Sequence, residues 1–458
     1  MIRLLLLASL ALAACGNANF CPGHLDSDCR VPPDSPGPRT CTGDTDCSAL
    51  TAVCDLAGSK TCVQCTTAEP SACTDGTPVC GTDNTCRACA AHSECASSVC
   101  LPTGFCGAEG DVAYVDPMGS DNDMCTKVMP CTKLAKALAT ARPYLKLTGS
   151  TNDTASINNQ NVTILADPGA TLTSTQNGLI LEVKGSSKVA IYDLLISGAS
   201  GPSGFGISLP AGNAATLDLH HATLSNNNAS GISATGGTLT LSQSTISGNP
   251  GGGISATGST LLTVSQSNIS NNTGGGISTA GGVLTISRST INGNAGGGIS
   301  TSSSAKFNIT NTFVFRNGNK TTSTFGGLNL QFVGTGNRLE FNTIVDNDAN
   351  TNSGGIFCNV PTFSAPNNIV AHNSLNGSAT DPNAQTFGSC TYPTSKIQMD
   401  LTGLAFEHPD SAPFSYKLTT GSSAVDMATT PSDIDVDNEG DHRPQGAQKD
   451  IGADELKP

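Results

Sequence analysis

Gly231-Ile-Ser-Ala-Thr-Gly-Gly-Thr-Leu-Thr-Leu-Ser-Gln-Ser-Thr-Ile-Ser-Gly-Asn249 carries three short apolar strokes, and the chain returns to them with a nearly fixed step. The Gly-Ile stroke recurs at Gly231-Ile232, Gly253-Ile254, Gly276-Ile277 and Gly298-Ile299, spaced 22, 23 and 22, then at Gly327-Leu328 and Gly355-Ile356, spaced 29 and 28. The alternating stroke recurs as Leu239-Thr-Leu241, Leu262-Thr-Val264, Leu284-Thr-Ile286, Phe307-Asn-Ile309 and Leu339-Glu-Phe341. The third stroke ends in asparagine, at Ile246/Asn249, Ile269/Asn272, Ile291/Asn294, Val314/Asn317 and Ile344/Asn347. Runs this short with a period of two make strands, and Gly and Asn between them make turns. A repeat of this length means stacked coils.

Three strands per period bury their apolar faces only if each coil lies on the next with like residues over like, which predicts a parallel β-helix in an all-β chain. Adjacent coils then pair as parallel strands about 4.8 Å apart. Asn tolerates left-handed backbone, and stacked amides hydrogen-bond along the column, so Asn227, Asn249, Asn272, Asn294, Asn317, Asn347 and Asn373 are expected to form one internal ladder. A helical solenoid is excluded by the Gly, Ser, Thr, Asn and β-branched composition. Less regular coils extend the stack toward the N-terminus at Val162–Leu165, Val189–Ile196 and Leu217–Leu219. About ten coils would span roughly 45–50 Å. Open solenoids need capped ends, and Thr132–Ala141 is the candidate cap, with Leu134, Ala137, Leu138 and Ala141 on one helical face.

Tyr114-Val-Asp-Pro-Met-Gly-Ser-Asp121, followed by Pro130 and that short helix, resembles the opening motif of bacterial right-handed parallel β-helix proteins of the pectate-lyase-like superfamily. Gly421-Ser-Ser-Ala-Val-Asp426, Asp433-Ile-Asp-Val-Asp437, Arg443-Pro444 and Asp450-Ile-Gly-Ala-Asp-Glu455 are similar to the tail of surface-anchored members of the choice-of-anchor Q type. The resemblance covers about residues 112–455. It implies a right-handed solenoid and leaves activity open, since one fold hosts many functions.

Residues 1–14 hold Arg3 and then an apolar run from Leu4 to Ala14 too short to span a bilayer, the pattern of a secretory signal. Leu12-Ala13-Ala14-Cys15 resembles the bacterial lipobox, which implies cleavage before Cys15, lipid on its thiol and a place at the outer membrane or cell surface. Removing Cys15 from 19 cysteines leaves an even 18. Twelve form three sets with a period of 24, Cys41/47/54/62, Cys65/73/80/86 and Cys89/95/100/106. The other six neighbour one another as Cys21/Cys29, Cys125/Cys131 and Cys358/Cys390. Small core-poor units in an oxidising compartment are held by disulfides, and each set of four allows three pairings. Cys62-x2-Cys65 and Cys86-x2-Cys89 also stand at zinc-ribbon spacing, but that reading strands Cys73 and Cys80. The expected order is a signal (1–14), a lipidated, Pro-rich spacer (15–40), disulfide repeats (41–106), the β-helix (112–395) and a C-terminal cap or tail (396–458).

The net charge of -14 disfavours nucleic acid, which needs clustered Lys and Arg. No Trp and 4% aromatic residues weaken a sugar-stacking platform, while Asn- and Ser-rich faces can still hydrogen-bond carbohydrate. One position before the ladder the column reads Gly248, Asn271, Gly293, Arg316, Asp346, His372, so a cation, an acid and a base stack on consecutive coils. That set suits general acid-base work; the competing reading is a surface ion pair with a turn histidine. Arg338 and Glu340 invite the same pairing. Family lyases commonly hold calcium with a carboxylate cluster, whereas these coils offer only Asp346 and Asp348 as a close acidic pair. Asp433, Asp435, Asp437 and Asp441 imitate the start of an EF-hand loop, yet position six is Asn438 and position twelve Pro444, leaving at most a looser calcium site. His220-His221 on a strand would face opposite ways. The leading expectation is a non-catalytic surface lipoprotein whose β-helix binds glycans or surface partners, needing no cofactor. The alternative is a polysaccharide lyase or glycoside hydrolase; a plain envelope scaffold is the third reading.

Overall fold

A computed structural model describes residues 40–48, 51–74, 76–303, 305–331, 335–360 and 362–457. The expected signal, Cys15, Cys21, Cys29 and the Pro-rich spacer lie outside them. The described chain falls into two compact units, one running to Thr74 and including Cys80–Arg87, the other comprising Asp75–Val79 and Ala88 onward.

In the second unit the strokes become three parallel sheets. Thr238–Ser242, Thr245–Ser247 and Ile254–Thr257 make one coil, and their counterparts build sheets of 10, 11 and 10 strands, here called first, second and third. Alternation decides the faces: Leu239, Leu241 and Ile246 are buried, while Thr238, Thr240 and Ser242 lie at the surface. Register stacks Leu217, Leu239, Leu262, Leu284 and Phe307 in one column. Each such side chain contributes about 1.5–3 kcal/mol by leaving water. The Gly-Ile stroke needs its glycine because the next coil's backbone is too close: a Cβ on Gly276 would lie 2.5 Å from the Gly298 carbonyl oxygen.

The corners are polar and buried. The asparagine ladder runs as read: each backbone N–H from Asn227 to Asn347 donates to the next asparagine's Oδ1, at 2.9–3.1 Å. Gln385 ends it, its Oε1 accepting the Asn373 N–H at 3.0 Å. A second ladder, absent from the sequence reading, occupies the corner between the first and second sheets. There Ser244, Ser267 and Ser289 link by N–H to Oγ bonds of 3.1 and 3.2 Å, and Thr312, Asn342, Asn368 and Ser395 continue the pattern.

The N-terminal cap is a helix, Leu134–Ala139, shorter than the stretch anticipated because Lys133 is extended and Ala141 has φ +56°. Leu134, Ala137 and Leu138 join the main core, and a Cys125–Cys131 disulfide pins the loop before the helix. The cysteine sets all pair first-to-third and second-to-fourth: Cys41–Cys54 and Cys47–Cys62, Cys65–Cys80 and Cys73–Cys86, Cys89–Cys100 and Cys95–Cys106. Each Cys-x2-Cys pair is thereby split between neighbouring sets, which removes the zinc-ribbon alternative. Two sets lie in the first unit. The third belongs to the second unit, where Val99 packs with Val112 and Tyr114, and the Tyr114 hydroxyl donates to the Ser97 carbonyl at 2.7 Å.

Beyond residue 400 the chain turns back along the outer face of the second sheet. A hairpin of Phe406–His408 and Ser415–Leu418 brings Leu404, Phe406, Tyr416 and Leu418 onto Phe313, Phe315, Val345, Ile369 and Ala371. Those outward positions are apolar, unlike Thr245/Ser247 and Asn268/Ser270 on earlier coils. The tail motifs close a buried polar knot. Arg443 pairs with Glu455 at 3.0 Å, donates to the carbonyls of Asp450 and Gly452, and lies 4.6 Å above the Phe341 ring.

Candidate binding groove

Arg316, Asp346 and His372 sit at the corner between the second and third sheets, at φ of 54°, 55° and 51°. Left-handed backbone costs a non-glycine residue about 1–2 kcal/mol, a cost offset here by the ladder amides that follow at Asn317, Asn347 and Asn373. The bend pushes all three side chains outward on consecutive coils. They do come together. His372 Nδ1 lies 2.6 Å from Asp346 Oδ1, and the Tyr416 hydroxyl donates to the other oxygen, Oδ2. The Arg316 guanidinium sits 3.7 Å from the centre of the Phe414 ring.

Tyr416 was invisible to sequence reasoning, standing 70 residues from its partner outside any repeat. The one available signal was the loss of polar alternation at Phe313–Phe315, which asks for a cover. Burial, and then the bond to Asp346, push the Tyr416 hydroxyl well above the usual tyrosine range, so it stays a neutral donor. Asp346 is 13% exposed and His372 51%. The imidazole is therefore held at Nδ1 while Nε2 makes no hydrogen bond among the described residues. Around these side chains lies an open groove of about 540 Å³, whose polar wall also includes Asp348, Ser374 and Asp410. Asp348 Oδ1 accepts from Ser374 Oγ at 2.5 Å.

The remaining sequence candidates are placed elsewhere. Arg338 pairs with Glu340 at 2.8 Å and also with Asp433, tying the last strand of the first sheet to the tail. The Asp435 carbonyl accepts the Arg443 N–H. Asp437 is buried, its oxygens taking the N–H groups of Gly440, Asp441 and Glu455 at 2.8–3.1 Å. Asp441 pairs with Lys457, and Glu439, a neighbour not foreseen, pairs with Lys417. Asp437, Glu439 and Asp441 bring ligand-type oxygens within 4.8 Å, but backbone donors and lysines already serve them. Of the four aspartates, Asp437 and Asp441 thus come together with Glu439, while Asp433 pairs with Arg338.

His220 ends its strand, stacks on Tyr192 at 4.5 Å and shares a 2.7 Å bond with Ser242, while His221 bends at φ +51° toward Asp193. A turn, not opposite faces of one strand, separates the two histidines. Tyr192, Asp193 and His221 edge a larger hollow of about 1090 Å³ beside the third cysteine set, lined also by Asp167, which Lys146 holds at 2.5 Å.

The family model for the right handed beta helix region matches residues 177–344 and, overlapping them, 230–395. Among solved structures, the chain superposes on the crystal structure of pectate lyase Pel9A with a TM-score of 0.51, covering 76% of this chain and 100% of that one at 14% identity. At that identity the likeness is one of fold: the molecule is a right-handed parallel β-helix. No curated protein matches the chain.

Proposed function

We propose that this β-helix is a non-catalytic carbohydrate-binding module, presented at a cell surface by lipid on Cys15, with its ligand lying in the groove of Arg316, Asp346 and His372. One observation carries the reading. The acid of the stacked column has both oxygens engaged, by His372 and Tyr416, and the cation is seated on Phe414. General acid-base chemistry needs groups free to exchange protons with substrate, and two of these three are engaged in docking the tail. What remains is an open, polar, mixed-charge groove suited to hydroxyl-rich ligands.

Gel retardation against a panel of neutral and acidic polysaccharides tests this, run beside assays for unsaturated products and new reducing ends. Retention of intact polymer, weakened about 5–10-fold by His372→Ala through loss of one or two hydrogen bonds, is the expected result. Release of fragments would overturn it.

A second reading, a lyase or hydrolase, is favoured by the His372–Asp346 pair alone. A carboxylate on Nδ1 fixes the imidazole tautomer and leaves Nε2 basic. In that case Asp346→Asn abolishes fragment release.

A further inference from the structure

The two ends of the solenoid are finished differently. At the N-terminal end the free flank of the first strand, Val112–Val115, is covered by residues 125–131: the Tyr114 N–H donates to the Cys125 carbonyl, and the Cys131 and Asp116 N–H groups donate to the Tyr114 and Cys131 carbonyls, at 2.8–2.9 Å. The second and third sheets begin at Ser150–Asn152 and Ala155–Asn158, each with one strand neighbour, and the start of the cap helix lies over them: Lys133 donates to the Asn152 carbonyl at 2.6 Å, the Ala135 N–H to Asp153 at 2.9 Å, and the helix packs on Ala155–Asn158 and fills the interior. At the C-terminal end the last strands, Thr386–Gly388 of the third sheet and Lys396–Gln398 of the second, are among the described residues each paired on one flank only, with Ile356–Cys358 and Ile369–Ala371. No residue from Thr386 to Asp400 is buried.

The tail does not close this end, because it packs sideways on the second sheet. Gln385 terminates the internal ladder and the Cys358–Cys390 disulfide staples the last coil, yet no described residue pairs with the strand edge beyond them. Phe387, Ile397 and Met399 stand on that coil at 43%, 41% and 48% exposure. Unpaired strand edges with apolar side chains recruit further strands unless covered.

We infer that the C-terminal end of the solenoid is a two-fold contact surface for a second copy of this chain. The occupant must offer a strand edge. At the N-terminal end the loop 125–131 and the cap helix lie over the starting strands, whereas the same C-terminal end of another copy presents matching strands, which a two-fold axis sets antiparallel. A like-to-like contact closes at two copies, because the capped N-terminal end blocks head-to-tail growth. Charge permits it despite the overall acidity: Lys396 and Asp400 give the last coil both signs. One coil's cross-section lies at the small end of specific interfaces, about 1,200 Å², the class of weak, reversible contacts.

The test is sedimentation equilibrium of the full chain, carrying Cys15→Ser to exclude lipid, from roughly 1 to 300 µM. The expected result is a reversible doubling of mass. It is abolished in the double variant F387D/I397D and kept in L261D/V283D, which alters two exposed residues on the outer face of the first sheet. Amide exchange on the unsubstituted chain is the second readout, and the amides of 386–388 and 396–398 slow at least about tenfold across the same range. A monomer at every concentration, assembly beyond two copies, or doubling without protection of those amides overturns the proposal.

Discussion

Asn272 shows what one residue does in this fold. Its Oδ1 accepts the Asn249 backbone and side-chain N–H groups at 3.0 and 2.9 Å, and its Nδ2 donates to the Ile246 carbonyl and to Asn294 Oδ1 at 3.1 and 2.9 Å. Aspartate cannot donate and alanine cannot do either, so each substitution strands buried groups costing about 1–3 kcal/mol apiece. Asn272→Ala and Asn272→Asp should each lose about 3–5 kcal/mol in urea unfolding, against less than about 0.5 kcal/mol for Asn228→Ala at the exposed position that follows the ladder residue Asn227. The ladder was legible because an asparagine follows the apolar anchor of the third stroke at the same offset in coil after coil, from Ile246/Asn249 to Ile344/Asn347, and its amide both accepts and donates there. Tyr416 was not, since nothing local to it encodes Asp346. His92 is a second case. Its Nδ1 accepts the Cys100 N–H at 3.0 Å, which requires an unprotonated ring, and burial, then the Lys146 charge, hold its pKa below 6.5. The unfolded chain takes up that proton first, so this contribution is complete above about pH 6.5 and fades as pH falls below it. The protection of the Cys100 amide, measured against its intrinsic exchange rate at each pH, should therefore fall between pH 7.5 and 5, and His92→Gln should remove that loss.

Among the elements, the tail carries the opposite sign. Asp454 is buried with its Oδ2 on the Leu418 N–H at 2.6 Å, and burial, followed by the neighbouring Glu439 and Asp437 charges, pushes its carboxyl up to about 7. The folded tail thus holds a proton that the unfolded chain releases near 3.8. Its contribution is full below that value and is lost as pH rises through about 7. Proteolysis of the tail should be slower at pH 5.5 than at 8.5, and Asp454→Asn should flatten the difference; equal rates in the unsubstituted chain would refute this. The tail's place was poorly legible because its docking surface, Phe313 to Ala371, is built by single departures from the repeat. The cysteine sets were half legible: their period fixed which four belong together, while the pairing follows from the antiparallel ladder of Val53–Cys54 with Cys62–Val63, which puts Cys54 and Cys62 directly opposite each other yet bonded to other partners.

At the scale of the whole molecule, the solenoid was readable from end to end because every coil answers only to the coils beside it. Function was not, because the groove forms where the repeat meets a non-repeating segment. That same independence of coils fixes how the protein can change in size. Excising Pro250–Asn272 joins Asn249 to Thr273 with every column still aligned, and the shortened chain should fold with a single cooperative transition and an axis about 4.8 Å shorter by small-angle scattering, whereas removing eleven residues should abolish folding. The reach of this molecule is thus quantised: unequal exchange between tandem copies of the coding repeat could lengthen or shorten it in whole steps, leaving the groove, the tail and both termini untouched.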